Sequence, residues 1–243
     1  MQTSRVARLA GSLGVAALVL FAAGPLGIQL GALEPFTGFR IFLLGGLLGL
    51  LALVTGVLGL FFTRPRPAPE ECLEGRPRAL VGTVLGALVT AAILMGARGG
   101  AGVPAINDIT TNPEDPPAFA VDPWKQGRDM RYPAGFAQVQ RAGYPDLVPI
   151  AVALPPAAAL DRVASLFATN GWVVTQKDPI SNTLTGTDTS RLFKFVDDIV
   201  VRVRPQDGGS VVDMRSKSRV GKGDMGVNAA RIRKLTTQLQ SAS

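Results

Sequence analysis

DIVVRVRPQDGGSVVDMRSKS, residues 198–218, is the stretch whose reading decides the fold. Ile199, Val201 and Val203 fall on one side of an alternating run, and Val200, Arg202 and Arg204 on the other. Asp207-Gly208-Gly209 interrupts the run with a turn signal. The return run puts Val212 and Met214 on one side and Asp213, Arg215 and Lys217 on the opposite one. A period of two is the signature of a strand with one face in a core. The stretch therefore predicts an antiparallel hairpin with Arg202 roughly opposite Asp213 and Asp198 near Lys217. On a solvated face such cross-strand pairs contribute about 0.2–1 kcal/mol each.

Working outward, the same alternation predicts strands over Trp172–Lys177 and Thr183–Asp188, with a further short one over Arg191–Phe195. Leu147–Leu154 reads as another strand. Pro155-Pro156 opens a helix whose apolar stripe is Leu160, Val163, Ala164 and Phe167, and Asn170-Gly171 ends it. A last helix spans about Met225–Gln240, with Met225, Ile232, Leu235 and Leu239 buried and Asp224 as N-cap. Between Gly99 and Pro145 the chain is rich in Pro, Gly and other turn formers, so an irregular, surface-wrapped connection is expected there. The sum is an antiparallel sheet with helices on one face, an α+β domain over residues 99–243.

Residues 1–98 have another character. Leu9–Ala32, Ile41–Thr63 and Ala79–Ala97 carry no charge, and each approaches the length of about 20 residues needed to cross a bilayer. The pattern predicts three transmembrane helices at about 9–32, 41–63 and 79–97. Gly45 with Gly49, and Gly82 with Gly86, have the G-x-x-x-G spacing that lets helices approach closely. Arg5 and Arg8 precede the first helix, and Arg64, Arg66, Arg76 and Arg78 lie in loop 64–78. Positive residues stay cytoplasmic. The N-terminus and that loop, with Cys72, are therefore expected inside, and residues 99–243 in the periplasm or outside the cell. A cleaved signal peptide ending near Ala22-Ala23-Gly24 is the competing reading; the apolar run continues past it, which favours an uncleaved helix. The expected location is a bacterial inner (plasma) membrane, with the lipid bilayer as first partner. The helices hold no internal charge to mark a transport path.

Composition excludes several chemistries. The chain has no His and one Cys. His-dependent triads, His-ligated zinc and an intrachain disulfide are ruled out, and no metal or cofactor is expected. Net charge is +7. The first 98 residues contribute eight Arg and four Glu, and the remainder 17 basic against 14 acidic residues. The basic excess of the first part has a membrane explanation. Nucleic acid is not expected as a partner, because the domain is expected outside and lacks an aromatic stacking platform.

Several separated motifs resemble one family. They are Asn107-Asp108-Ile109-Thr110-Thr111 with Pro113 and Asp115-Pro116-Pro117; Tyr144-Pro145-Asp146; Gly171-Trp172; and Phe195-Val196-Asp197-Asp198. Asp213 through Gly221, Gly226-Val227-Asn228-Ala229 and Arg231-Ile232-Arg233 follow in order. Together they resemble the domain of unknown function 1499 family over about residues 105–240. The resemblance implies a shared domain and no activity. Gly223 stands where the family pattern suggests a Ser-like residue, which argues against a hydroxyl ligand at that position.

Three candidate chemistries remain. Arg215, Ser216, Ser218, Arg219, Gly221, Lys222, Asp224 and Asn228 lead into the N-terminus of the last helix, where free N–H groups and the helix dipole favour an anion. This is no Walker A loop, since residue 216, where the first Gly is required, is Ser. The alternative is purely structural, with Arg219 and Asp224 closing the loop. Asn107, Asp108, Thr110 and Thr111 are loop candidates, with Asn107 and Asp108 equally suited to fixing turns. Asp108, Asp197, Asp198 and Asp213 are the carboxylates available for acid–base work on an envelope polymer. Ser216/Lys217 and Ser218/Lys222 are nucleophile–base pairs on paper, the first disfavoured because strand neighbours face opposite sides. Arg231, Arg233 and Lys234 are placed to meet anionic headgroups unless they form a solvated helix face. The sequence thus favours an envelope binding or scaffolding module with an anion-binding surface, whose partner is an anionic envelope component or another membrane protein. An envelope hydrolase or transferase using Asp carboxylates is the alternative.

Overall fold

The computed structural model describes residues 3–65, 73–119 and 130–241. Cys72 and Arg66 lie outside the described residues. The chain forms two compact units, Met1–Gly99 with Arg191–Lys194, and Gly100–Ser190 with Phe195–Ser243.

The first unit contains three helices, α1 (Arg5–Gln29), α2 (Pro35–Phe62) and α3 (Arg76–Ala97), all long and apolar enough to cross a membrane. Each begins three to six residues before its uncharged run, because Arg5, Arg8, Arg40, Arg76 and Arg78 are helical too. The residues they bury are almost all small: Ala7, Ala10, Gly14 and Ala17 in α1; Gly45, Gly49, Ala52 and Gly56 in α2; Ala79, Gly82 and Gly86 in α3. The large side chains, Leu47, Leu50, Val54, Leu80 and Leu88 among them, point outward. This inverts a soluble bundle and suits helices solvated by lipid, where close backbone approach is the main source of association. Both glycine pairs expected from spacing lie in these interfaces. A Cβ on Gly86 would fall 2.6 Å from the Gly49 carbonyl oxygen, and one on Gly14 3.0 Å from the Gly82 Cα.

The second unit is an α+β domain. Its strands are β1 (Asp108–Thr110), β2 (Ile150–Val152), β3 (Val173–Asp178), β4 (Thr183–Thr189), β5 (Val196–Gln206) and β6 (Gly209–Ser218). They form one antiparallel sheet in the order β1-β6-β5-β4-β3, with β2 pairing the same edge of β6 as β1. The β5–β6 register places Arg202 opposite Asp213 and Asp198 opposite Lys217, as the hairpin reading requires. The Leu147–Leu154 strand shrinks to β2. Arg191–Phe195 is not a strand: the chain turns there, with Lys194 at φ 53°.

Helices α5 (Pro156–Asn170) and α6 (Val227–Gln240) cover one face of the sheet. The core between them is built from Ile199, Val201, Val203, Val212 and Met214 of the hairpin with Leu160, Val163, Phe167, Ile232, Leu235 and Leu239. Gly171 ends α5 at φ 73°, the left-handed cap that Asn170-Gly171 predicts. The last helix starts two residues later than expected. Met225 is half exposed at φ 55° and outside the buried stripe, and Gly226 occupies the N-cap position.

Around β1 and β6 the opposite face is not solvated, which corrects the sequence reading there. Asp108, Asp213, Arg215 and Lys217 are buried there, and so is Val200. Part of the Pro-rich connection packs against this face: Pro117 and Met130 give carbonyl oxygens to Arg215, and the Phe119 and Tyr132 rings lie against its guanidinium. A short helix, α4 (Phe136–Gly143), follows in that connection. Its Gln140 side chain accepts from the Thr110 N–H at 2.9 Å and donates to the Thr110 carbonyl at 2.6 Å. An amide side chain thus completes the outer edge of β1 as a strand would.

Candidate functional site

Alternation along β6 divides the polar residues between the two faces. Ser216 and Ser218 turn toward α6, where Asn228 and Arg231 sit on the buried side one helical turn apart. Ser216 Oγ donates to Asn228 Oδ1 at 2.7 Å, and Asn228 Nδ2 donates to Ser218 Oγ at 3.0 Å. Arg231 Nη1 donates to Ser216 Oγ and Asn228 Oδ1 at 2.8 and 2.6 Å. Its Nε and Nη2 reach Asp188 Oδ2 at 3.1 and 2.7 Å, and Nη2 also reaches Asp197 at 2.8 Å. Asp188 and Asp197 are directly opposite across β4 and β5. Like charges so placed repel, and the buried guanidinium between them is what makes the pairing tolerable.

The other face holds the second network. Asp108 receives a bidentate fork from Arg215, Nε to Oδ1 at 2.8 Å and Nη2 to Oδ2 at 2.7 Å. Lys217 Nζ donates to the same Oδ2 at 2.9 Å. Arg215 lies 4.7 Å over the Phe119 ring and 5.6 Å from that of Tyr132, and is 2 % exposed. Along the same face Arg219 forks onto Asp198, and Arg202 and Arg204 share Asp213. Arg202 also reaches the half-wrapped connection at Asp115. Planar guanidinium forks on carboxylates fix orientation as well as charge.

Between the faces, residues 218–228 close into a knot. Asp224 accepts from the backbone N–H of Gly226 and Asn228 at 2.9 and 2.8 Å, so the N-terminus of α6 holds the chain's own carboxylate. Asn107 donates to the Gly221 carbonyl at 2.7 Å and accepts from the Ser218 N–H through its own carbonyl. Thr111 clamps β6 beside it, accepting from the Met214 N–H on Oγ1 at 2.9 Å. Thr110 Oγ1 accepts from the Asn112 N–H.

The residues singled out from sequence therefore do not form one surface. Asn107, Gly221, Asp224, Asn228, Ser216 and Ser218 meet in the knot and the helix-side network. Arg215, Arg219 and Asp108 belong to the other face. Lys222 is exposed. Asp108 is an ion-pair centre rather than a turn former. Ser216 and Lys217 face opposite ways, as disfavoured pairs should. Arg231 is buried and so does not face headgroups, while Arg233, about half exposed, forks onto Asp146. Sequence reading missed Gln140, Tyr132 and the bridging role of Arg231. Arg231 was findable, since it lies three residues after Asn228 and one before Ile232 on the buried stripe. Tyr132 and Gln140 stand in an aperiodic stretch that carries no such signal.

Burial raises the Tyr132 hydroxyl far above the usual phenol range, and the Asp108 carboxylate adds to it. Tyr132 donates to Gln140 Oε1 at 3.1 Å. Tyr144, also raised by burial and then by Asp224, has no hydrogen-bond partner for its buried hydroxyl among the described residues. Beside Arg215 two shallow clefts open on the charged face. One of about 380 Å³ is lined by Phe119, Met130, Tyr132 and Arg215. The other, about 320 Å³, is lined by Arg131, Tyr132, Pro133, Ala134 and Lys217.

Fold and networks together define a class: an α+β domain with ion pairs buried on both faces of its sheet, following three helices long and apolar enough to cross a membrane. The chain belongs to the family Protein of unknown function (DUF1499), which matches residues 108–239, more than half of its length. The match agrees with the resemblance drawn from the separated motifs. Among curated proteins no match was found.

Proposed function

We propose that the chain is a membrane-tethered binding module of the bacterial envelope, with its α+β domain outside the plasma membrane and an anionic component as its partner. The observation that carries this reading is the occupancy of the buried carboxylates. Asp108, Asp198 and Asp213 each lie in a guanidinium fork or between two guanidinium groups. A carboxylate so held already has its oxygens engaged by fixed donors, which favours binding over hydrolysis by Asp residues. Among the described residues Arg202, Arg204, Arg215, Lys217 and Arg219 of the same face stand against Asp108, Asp115, Asp198 and Asp213, which supports an anionic partner.

The orientation rests on the arginines. Ser4 N–H donates to the Glu74 carbonyl at 2.9 Å, which holds the start of α1 beside the start of α3. Arg5, Arg8, Arg76 and Arg78 thus cluster at one end of the helix unit, the end that the positive-inside rule makes cytoplasmic. A groove of about 910 Å³ between α1 and α3, with Arg8 and Arg78 at its mouth and Val15, Val19 and Val81 along it, fits an anionic phospholipid at that end.

The test uses the full chain reconstituted in vesicles of neutral lipid. Labelled polyphosphate is expected to float with the vesicles at low salt and to be released as salt screens it, whereas neutral dextran stays behind. Polyphosphate that behaves like dextran at low salt would refute the binding reading.

A further inference from the structure

We infer that Lys217 is the receptor of a specific oxyanion site, taking a phosphate or carboxylate head in the cleft it forms with Arg131, Tyr132, Pro133 and Ala134. The inference deepens the binding reading and rests on it. Its starting point is a charge imbalance. Asp108 is 0 % exposed and holds two cations, Arg215 in a bidentate fork and Lys217 through one oxygen. The fork alone neutralises the carboxylate, so Lys217 is a cation in excess. Among the described residues the acid directly across the β5–β6 register is Asp198. It is engaged by Arg219, whose Nη2 lies 2.8 Å from Oδ1. Among the described residues two acids therefore face three cations, and the surplus sits on a side chain that is 10 % exposed.

An ammonium group has three N–H donors. Among the described residues the Lys217 ammonium donates one of them, to Asp108. The others remain beside the cleft of about 320 Å³ that this side chain lines. A buried, incompletely hydrogen-bonded cation is unfavourable without a partner. An oxyanion entering the cleft would accept from the ammonium and meet Arg131 at the rim. The Tyr132 ring, Pro133 and Ala134 form an apolar wall for whatever carries the head. Tyr132 cannot contribute a competing charge, since its phenol stays protonated well above neutral pH.

The same head chemistry can come from a soluble phosphate ester or from a lipid headgroup, and the test separates them. The full chain in neutral detergent is heated with inorganic phosphate, with chloride at matched ionic strength, and with short-chain phosphatidic acid in mixed micelles. Phosphate is expected to raise the melting temperature saturably, and chloride not. Stabilisation by phosphatidic acid at concentrations at least about tenfold lower than phosphate assigns the site to a headgroup; equal potency assigns it to a soluble anion. In K217M the response is expected to weaken at least about tenfold, as loss of a charge-assisted contact requires. K217M is expected to melt no lower than wild type without phosphate, since the surplus charge is gone. K217R keeps the charge and a response, and serves if K217M does not fold. A wild-type chain that responds to phosphate and chloride alike overturns the proposal, as does a K217M response equal to wild type. Asp122 and Asp129 lie outside the described residues; a response that appears only in D122N/D129N would assign the cation to the chain's own acids and overturn the proposal as well. Polyphosphate flotation that survives in K217M while the phosphate response was never present refutes this site and leaves the binding reading standing.

Discussion

Arg231→Met removes the guanidinium that bridges Asp188 and Asp197 and ties them to Ser216 and Asn228. The side chain is 4 % exposed, and all of its donors are used. Methionine fills much of the volume, so the cost is electrostatic. Asp197 keeps 13 % of its side chain exposed and Asp188 31 %, and the two face each other directly across the strands. Breaking a buried pair by removing one partner costs about 3–5 kcal/mol, because the other charge stays buried. Asp188 can recover some hydration, which places the expected loss near the lower end, about 3 kcal/mol. That is a large share of the roughly 5–15 kcal/mol that holds a domain. The assay is urea unfolding of the full chain in detergent, followed by tryptophan fluorescence. Trp172 lies in the core with its ring 5.1 Å from that of Phe167, so it reports this unit. The discriminating variant is R231M/D188N/D197N. If the cost belongs to the stranded carboxylates, the triple variant recovers most of it. A single variant losing under about 1 kcal/mol, or a triple as unstable as the single, would refute the reasoning.

The remaining predictions concern other links of the fold. Gln140→Leu leaves the buried Thr110 N–H and carbonyl unpaired and is expected to cost about 1–3 kcal/mol; hydrogen exchange at the Thr110 amide should accelerate, and unchanged protection would remove Gln140 from the sheet edge. The chain has two tyrosines, and both hydroxyls are raised. Absorbance at the tyrosinate band should stay flat in the folded protein above the ordinary phenol pKa of about 10. The unfolded chain releases those protons first, so stability is full below that pH and falls as pH rises above it. Gly86→Val drives a side chain into the α2 backbone and should disrupt the helix unit in detergent, whereas Gly96→Ala meets open space and should be neutral or slightly stabilising. Asp146→Asn removes an exposed fork with Arg233 that holds the carboxyl below its usual range; the expected loss is under about 1 kcal/mol, absent at high salt and disappearing as pH falls through the folded pKa of Asp146.

How much of this was legible in the sequence depends on periodicity. Residues 198–218 gave strand, turn, register and core face, because alternation and an Asp-Gly-Gly turn are local signals. The small-residue spacing of α2 and α3 announced their interfaces for a similar reason. Burial of the charged face was not legible. Asp213, Arg215 and Lys217 look like a solvated strand edge until Phe119, Pro117 and Tyr132 are brought over them, and nothing periodic in residues 111–135 says that they will be. Asp224 was read as the N-cap, a position that Gly226 takes, and only its service to the helix N-terminus was legible. Its use of Gly226 and Asn228 N–H groups was not, because that depends on Met225 taking a positive φ. The residues from Arg215 to Asn228 are divided between two faces because β6 sends alternate residues to opposite sides.

The two faces also differ in what their charges leave over. On the helix side one guanidinium meets two carboxylates, and the excess is acidic, with Asp188 at the rim in water. On the other side Arg215 forks onto Asp108 and Arg219 onto Asp198, and among the described residues the excess is the Lys217 ammonium. A rim carboxylate is hydrated and asks for nothing further. A buried ammonium at a cleft wall is different: its stability improves when an anion arrives, and by linkage any such anion stabilises the fold that holds it. Binding and folding are therefore coupled at Lys217 and uncoupled at Asp188. For that reason the ligand should be sought on the face covered by Tyr132 and Phe119, and the architecture of the domain on the face covered by α6.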